Sequence, residues 1–375
     1  MTFRIGLIGS GYMGRAHAIA FRAASAVFDL PVDPELEVLA DIDAETARSA
    51  AASLGFTRST GDWRQLVADP LVDLVDITTP NIMHVEMASA AIDAGKHVYC
   101  EKPLAPTAAE ARPLVEAAEA AGVLTMVGLN YLKNPITALA KEIIDSGEIG
   151  EVFAFRGAHF EDYMLDPSTL VSPWRFDPRS GDGVVADLGS HIVSIARYLL
   201  GPIVSVAADR RTVIGERTSS EGETMTVEVA DEMDSLMRFA SGATGTVAAS
   251  WIATGRKMAL GCEVRGTEGA LVIDFERLNE LQLYTTGQPV GREGFTRILA
   301  GPAHKDYASF VPAPGHQLGF NDLKAIEVRD LVEGIASPDG RPWPDFREAW
   351  EVQRVIDAII ASDGRGAWFD VDDVD

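Results

Sequence analysis

Cysteine, positive charge and long apolar runs are all scarce in this chain. Of its 375 residues two are cysteines, Cys100 and Cys262, each inside an apolar, strand-like run. No C-x-x-C pair occurs, so buried free thiols in a reducing compartment are expected. Lys and Arg total 32 against 56 Asp and Glu, a formal net charge of −24. A field of that sign repels phosphate backbones and anionic lipid, which argues against nucleic acid or a membrane surface as partner. No apolar run approaches the ~18 residues of a spanning helix. The start, from Met1 to Gly9, is too short and too glycine-interrupted for a signal peptide. A cytoplasmic protein is the expectation. Internal repeats and low-complexity tracts are missing as well.

What remains is an ordinary globular composition, 47% hydrophobic and 23% charged, with enough apolar mass for a full core. A single core stops growing near ~250 residues, so two domains are expected. Short apolar runs alternate with Ala-rich helical stretches up to about residue 130. Strands are read at Ile5–Ile8, Leu36–Ala40, Leu74–Ile77, His97–Cys100 and Leu124–Leu129. Helices are read at Ala44–Leu54, Val85–Ala94 and Ala108–Ala121. Alternation of this kind implies right-handed βαβ units on a parallel sheet. Beyond Asn130 a helix at Pro135–Ser146 leads into strands rich in Val, Thr and Phe. These run over Val152–Phe160, Ile203–Thr212, Asp234–Phe239, Thr244–Trp251, Met258–Arg265 and Ala270–Phe275. One helix near Val184–Leu200 interrupts them, and helices at Asn321–Ile335 and Phe346–Ser362 close the chain. The expected fold is a doubly wound α/β domain over 1–129, followed by an α+β domain over 130–375 built on a large, mostly antiparallel sheet. An open sheet of that type exposes one face, and burying it against another copy predicts a homodimer or homotetramer.

Gly9-Ser10-Gly11-Tyr12-Met13-Gly14 follows the first strand directly and opens a helix. The first Gly permits a tight turn, the second lets backbone approach a pyrophosphate, and the third lets the helix pack close to the strand. The N–H groups and positive end of the helix then face the phosphates. The second strand ends at Asp41, where a carboxylate can accept from ribose hydroxyls and repel a 2′-phosphate, which points to NAD. Asp41 comes later than the usual ~20 residues after the turn. The extra length is read as a surface insertion over Phe21–Glu35.

The chain resembles the Gfo/Idh/MocA oxidoreductases. The residues that carry the resemblance are Gly9 to Gly14, Thr78-Thr79-Pro80-Asn81 with His84, and Ala94-Gly95-Lys96-His97-Val98-Tyr99-Cys100-Glu101-Lys102-Pro103. Asp187-Leu188-Gly189-Ser190-His191 and Gly266-Thr267-Glu268-Gly269 continue it, in order, over nearly the whole chain. Within the family the chain looks most like members that oxidise anhydrosugars and cyclitols. The resemblance implies cofactor contacts from Gly9, Gly11, Tyr12, Met13, Gly14, Asp41, Ile42, Thr79, Pro80, Asn81, His84, Glu101, Lys102, Asn130, Trp174 and Arg175. It implies substrate contacts from Lys102, Tyr131, Glu161, Arg175, Asp187, Ser190 and His191. Two departures stand out: His191-Ile192-Val193-Ser194 where many relatives have His-x-x-Asp, and Asn130-Tyr131-Leu132 where many have Asn-Tyr-Arg.

Asp187 and His191, spaced i, i+4, share one helical face with Ser194 and Tyr198, while Val185, Leu188, Ile192, Ile195 and Leu199 form an apolar stripe. Oxidation of a hydroxyl sends a hydride to nicotinamide and a proton to a base, and His is the natural base near neutral pH. Lys102, at the carboxyl end of the fourth predicted strand, can hydrogen-bond the reacting oxygen. Pro103 restricts the backbone of Lys102. The catalytic set is therefore Lys102, Asp187 and His191. His159 and Glu161 fall on one face of a strand, but no third and fourth ligand accompanies them, so no metal is expected. His17, His97, His304 and His316 show no evident partners. The expected activity is NAD-dependent oxidation of a secondary hydroxyl on a small neutral sugar, anhydrosugar or cyclitol. An NAD-retaining glycosidase or epimerase, and a non-catalytic NAD sensor, are the alternatives.

Overall fold

A computed structural model describes residues 3–374. The chain opens with β1 (Phe3–Ile8), α1 (Tyr12–Val27), β2 (Pro34–Ala40), α2 (Ala44–Leu54), β3 (Arg58–Thr60), α3 (Trp63–Val67), β4 (Leu74–Ile77), α4 (His84–Asp93), β5 (His97–Cys100), α5 (Ala108–Ala121) and β6 (Thr125–Val127). The strands form a parallel sheet in the order β3-β2-β1-β4-β5-β6. That order reverses between β1 and β4, where open α/β sheets hold ligands outside the carboxyl ends of their strands. Local chemistry sets the boundaries. Asp43 caps α2 by accepting from the N–H groups of Glu45 and Thr46, and Gly55 ends it in the left-handed region. Thr107 caps α5, and Gly122 closes it the same way.

The second half contains α6 (Pro135–Asp145), β7 (Val152–Phe160), α7 (Ser190–Leu200), β8 (Ile203–Arg211), β9 (Glu216–Thr218), β10 (Thr224–Thr226), β11 (Glu232–Phe239), β12 (Thr244–Ser250), β13 (Ala259–Gly266), β14 (Gly269–Asp274), β15 (Glu280–Thr285), β16 (Thr296–Leu299) and α8 (Tyr307–Phe310). After α9 (Phe320–Ala336) and α10 (Phe346–Arg365), β17 (Phe369–Asp370) joins a nine-stranded sheet. Its order is β16-β15-β14-β13-β7-β12-β11-β8-β17. The pairings are antiparallel except for β7 with β12. Period-2 alternation is clean in β11, where Met233, Ser235, Met237 and Phe239 are buried and Asp234, Leu236 and Arg238 are exposed. On the buried face α7 lies tight against β7: a Cβ on Gly157 would sit 2.7 Å from Ile192 Cδ1. One stretch, Pro178–Leu200, is long and apolar enough by length and composition to cross a membrane, which the sequence reading had not expected. Of its apolar window 78% is buried inside the protein, as in a core helix.

Two readings of the sequence need correction. Phe21–Glu35 is not a surface insertion: α1 continues through Phe21 and Ala24, both buried, and Phe28, Leu30 and Val32 pack on the same core. The second concerns the end of the chain. Two compact units divide it, one of residues 1–130 with 319–351, the other of 131–318 with 352–375. The segment around α9 therefore belongs with the parallel sheet, not with the second domain. Val328, Leu331 and Val332 share one core cluster with Ile5, Leu7, Phe21, Leu39 and Tyr99. An apolar stripe shows that a helix is buried, but not which sheet buries it. Leu331→Ala should destabilise this unit by about 2–5 kcal/mol, the usual range for truncating a fully buried leucine, measured by urea unfolding. An effect below ~0.5 kcal/mol, typical of a surface change, would contradict the placement of α9.

Candidate functional site

In the first unit the glycine-rich turn is shaped by close approach. Gly9 has φ +96°, and a Cβ on Gly14 would lie 2.0 Å from Gly9 O. A Cβ on Gly11 would meet nothing within 4 Å, so open space lies above the turn. Gly11 is the N-cap of α1, brings no side-chain acceptor to the first N–H groups, and no acid occupies the first turn. Those donors suit an anion. Asp41 reaches this turn from the end of β2: Ser10 N donates to its Oδ2 at 2.8 Å, Ser10 Oγ donates to the same oxygen, and Ile42 N donates to Oδ1 at 2.7 Å. Tyr12 and Ile42 are exposed, and the Tyr12 ring lies 5.9 Å from that of Phe320. The turn, its open space and the carboxylate beside it fit a dinucleotide.

At the carboxyl ends of β4 and β5, Thr78 Oγ1 donates to Gly9 O at 2.8 Å, tying this loop to the glycine turn. Thr79 Oγ1 lies 3.5 Å from Met87 Sδ, and Pro80 and Asn81 are partly exposed. The ring of His84 is buried, with Nδ1 2.8 Å from Pro103 O and Nε2 2.9 Å from Thr79 O. Burial pulls its pKa below the ordinary imidazole range, although the two carbonyls pull the other way. His84 thus ties the Thr79 loop to the Lys102-Pro103 segment. Lys102 is partly exposed. Asn130 is buried, and its Nδ2 finds no acceptor among the described residues.

Glu101 departs from expectation. Its carboxylate turns into the interior, where it meets His17, read from sequence as partnerless, and Lys324 of α9. His97 and His304 also have partners: Leu124 N donates to His97 Nδ1, and Gly301 N donates to His304 Nδ1.

In the second unit the helix expected from Val184 begins as one π turn, Val185–Gly189, before α7 takes over at Ser190. Such turns are rare and concentrate at functional sites. This one carries Asp187, and α7 carries the largely buried His191. Tyr163 O–H donates to Asp187 Oδ2 at 2.7 Å, and Arg175 Nη1 donates to the same oxygen at 3.1 Å. Partial burial beside that carboxylate pushes the Tyr163 phenol well above its ordinary range, so it stays a donor. The Arg175 guanidinium also lies over the Trp174 ring, 4.8 Å from its centroid.

Around His191 the rings gather. Tyr131 meets it edge-on at 4.8 Å between centroids, His159 lies 5.6 Å away, and Phe275 backs Tyr131 at 5.2 Å. His159 Nδ1 is 3.1 Å from Leu188 O, and Nε2 is 3.1 Å from Glu161 Oε1. His159 and Glu161 thus pair with each other. No group of three or more His, Cys, Asp or Glu side chains that could hold a metal ion exists among the described residues. Ser190 Oγ donates to Asp187 O at 3.3 Å, and Ser194 Oγ to His191 O at 2.7 Å.

Asp187, His191, Tyr131, Glu161, Arg175 and Ser190 are therefore brought close to one another in the second unit. Tyr163 was missed, because a tyrosine in an irregular stretch carries no periodic signal. Phe275 had been read only as the end of a strand.

The geometry of the turn gives a direct test. Gly14→Ala forces a methyl against the Gly9 carbonyl and displaces α1 from the turn. NADH binding, followed by fluorescence titration, should weaken by at least about tenfold, the equivalent of ~1.4 kcal/mol. An unchanged dissociation constant would contradict this account of the turn.

Residues 3–129 match a family described as oxidoreductase family, NAD-binding Rossmann fold, and residues 137–272 match the GFO/IDH/MocA C-terminal domain. Levoglucosan dehydrogenase of Pseudarthrobacter phenanthrenivorans is 38% identical over 385 residues, covering 99% of this chain and 98% of that protein. A solved structure of levoglucosan dehydrogenase in complex with NADH and L-sorbose is 39% identical, with a TM-score of 0.95 and 99% of each chain covered. The scyllo-inositol 2-dehydrogenase (NAD+) of Bacillus subtilis is 31% identical over 337 residues, 88% of this chain and 86% of that one. Two matched domains in the expected order, on a parallel and a mixed sheet of the matching architecture, make this chain a member of the Gfo/Idh/MocA family of NAD-binding oxidoreductases.

Proposed function

We propose that this enzyme oxidises a secondary hydroxyl of a sugar, anhydrosugar or cyclitol, with Lys102, Asp187 and His191 as its proton-transfer and oxyanion-stabilising set. The observation that carries the reading is the placing of His191 one turn after a doubly hydrogen-bonded Asp187 that sits on a π turn. The names of the similar dehydrogenases support a neutral polyol substrate. NAD supplies the hydride acceptor. His191 takes the hydroxyl proton. Asp187, gripped by Tyr163 and Arg175, orients the imidazole or a neighbouring substrate hydroxyl. The Lys102 ammonium hydrogen-bonds the reacting oxygen and offsets its developing charge. Tyr131, Glu161 and Ser190 line the polyol. Thr79, Pro80, Asn81, Asn130, Trp174 and Arg175 border the cofactor, with Gly9 to Gly14 at its phosphates. The setting is cytoplasmic.

A homodimer or homotetramer completes the reading. Leu236, Thr246, Arg156, Glu263 and Val272 form one continuous row across the outward face of the large sheet. Phe153 is also exposed on β7. An open, partly apolar sheet face favours burial against a second copy. Light scattering should give a mass at least twice the 40.2 kDa of one chain; a monomer at micromolar concentration would contradict it.

Absorbance of NADH, followed with levoglucosan, inositols and simple pentoses, tests the activity. Net NADH is expected with at least one of them. Consumption of a sugar without NADH would favour transient oxidation, as in a glycosidase or epimerase, and binding without turnover a sensor. With the substrate so found, His191→Ala should lower kcat by roughly 10²–10⁴ while NAD binding stays near wild type, as for loss of a general base. Full activity at every pH would assign the base elsewhere.

Cofactor choice is the second test. A 2′-phosphate near Asp41 would bring like charges together and displace ribose hydrogen bonds, and no Arg or Lys lies between Asp41 and Arg48 to offset it. Loss of a hydrogen bond to a charged group costs ~1.5–3 kcal/mol, roughly ten- to a hundredfold in affinity. Asp41→Ala should therefore narrow the NAD/NADP ratio of kcat/KM with little change in polyol KM. Equal use of NADP by the unaltered enzyme would overturn the role of Asp41.

A further inference from the structure

Beneath the end of β5 lies a cluster of ionisable groups that the proposed chemistry does not use. His17 of α1, Asp76 of β4, Lys324 and Glu327 of α9 are all fully buried, and Glu101 nearly so. His17 Nδ1 lies 2.9 and 3.0 Å from the two Asp76 oxygens, and Nε2 lies 2.9 Å from Glu101 Oε1. Lys324 Nζ donates to Glu101 Oε1 at 2.8 Å, contacts Glu327 Oε2 at 2.9 Å and donates to Tyr99 O–H at 3.2 Å. Tyr99 O–H donates to Glu327 Oε2, and the Tyr99 ring stacks on His17 at 4.5 Å.

His17 Nε2 and Lys324 Nζ, themselves 3.0 Å apart, meet at one oxygen of Glu101. The other oxygen, Oε2, accepts from the backbone N–H of Lys102 at 3.1 Å. Gly128 leaves the room: a Cβ there would lie 2.5 Å from Oε1 and 3.1 Å from Oε2. The carboxylate is thus held at both oxygens.

We propose that Lys324 is a positioning residue for Lys102: through Glu101 it fixes the peptide group from which the Lys102 side chain departs. The proposal rests on the reading of Lys102 as the group that meets the reacting oxygen. Lys324 lies outside both segments matched by the family descriptions, 3–129 and 137–272.

Stability alone is a poor reason for such a cluster. Replacing buried ionic groups by well-packed apolar ones is often neutral or stabilising. What an apolar cluster cannot supply is a charged acceptor with one oxygen free for the Lys102 amide. Burial by itself would push the Glu101 carboxyl up; Lys324 and His17 outweigh it and hold it below the ordinary carboxylate range. His84, Tyr99, Cys100 and Asp76 face Glu101 as well. None of these brings a permanent positive charge, so Lys324 is the permanent cation at Glu101, with His17 beside it.

The test uses the full-length enzyme labelled with 15N-lysine, with Lys324→Met, Lys324→Arg, Glu101→Gln and Lys102→Ala made in parallel. NADH fluorescence titration identifies the variants that keep a folded cofactor site. In the unaltered protein the Lys102 amide resonance should report no titration of Glu101, and at most that of His17, between about pH 5 and 9, a window above the ordinary carboxylate range. In Lys324→Met the Glu101 carboxyl loses its permanent cation and keeps only His17, its pKa rises, and the Lys102 amide should gain a titration with it. The kcat for levoglucosan, or for whichever polyol reduces NAD, should fall about tenfold or more at neutral pH and recover as pH rises along the same curve. Lys324→Arg should keep most of the activity. Glu101→Gln, nearly isosteric, should lower kcat at every pH with an NADH affinity within about threefold, a difference well under ~1 kcal/mol. A Lys102 amide insensitive to both Lys324→Met and Glu101→Gln would overturn the proposal. So would kcat within twofold of wild type in both variants while Lys102→Ala is inactive. Full activity of Lys102→Ala would instead remove the reading of Lys102 itself, and the amide titration would still decide whether Lys324 acts on that peptide.

Discussion

A carboxylate stripped of water needs a cation beside it, and in this protein that requirement organises the first unit around Glu101. A buried acid without a partner would take up a proton, and its hydrogen bonds to neighbouring N–H groups would weaken. The partner comes from α9, more than two hundred residues away in sequence. The parallel sheet is thus complete only when the late segment has returned to it. The same helix supplies apolar residues to the core through Val328, Leu331 and Val332. Charge and packing act on one element, and both serve the end of β5, where Lys102 and Pro103 follow.

The second unit meets a different constraint, that of aiming polar groups from a helix that is otherwise core. Val185, Leu188, Ile192, Ile195 and Leu199 are all buried. A regular helix of that composition offers few polar positions. The π turn at Val185–Gly189 holds Asp187 where Tyr163 and Arg175 both reach one of its oxygens. His191 follows within a cage of Tyr131 and His159, and the absence of a side chain at Gly157 lets α7 settle onto β7.

Much of this was legible in sequence where the signal is local. Leu74–Ile77 and His97–Cys100 stand out as apolar runs between helices, and the glycine turn carries its own steric logic. The i, i+4 spacing of Asp187 and His191 marks a shared helical face. The short strands were not legible. Arg58–Thr60 is wholly polar, and the β9–β10 hairpin has three-residue strands, so neither shows apolar alternation. Contacts between distant segments were hidden for a deeper reason. His17 looked partnerless because Asp76, Glu101 and Lys324 lie far from it along the chain. Asp76, an acid inside the run Leu74-Val75-Asp76-Ile77, was the one visible hint of a buried charge awaiting a partner. Likewise, the apolar stripe of α9 marks a buried face without naming the sheet it meets.

Hydride transfer from a polyol carbon is the central claim, and isotope tracing follows it atom by atom. Levoglucosan or an inositol carrying deuterium on its carbinol carbons is incubated with NAD and the enzyme, and both products are weighed by mass spectrometry. The account predicts one deuterium in NADH for each polyol oxidised, and a ketone product that has lost it. Polyol turnover with unlabelled NADH, or with all deuterium retained in the sugar and no NADH formed, would contradict it.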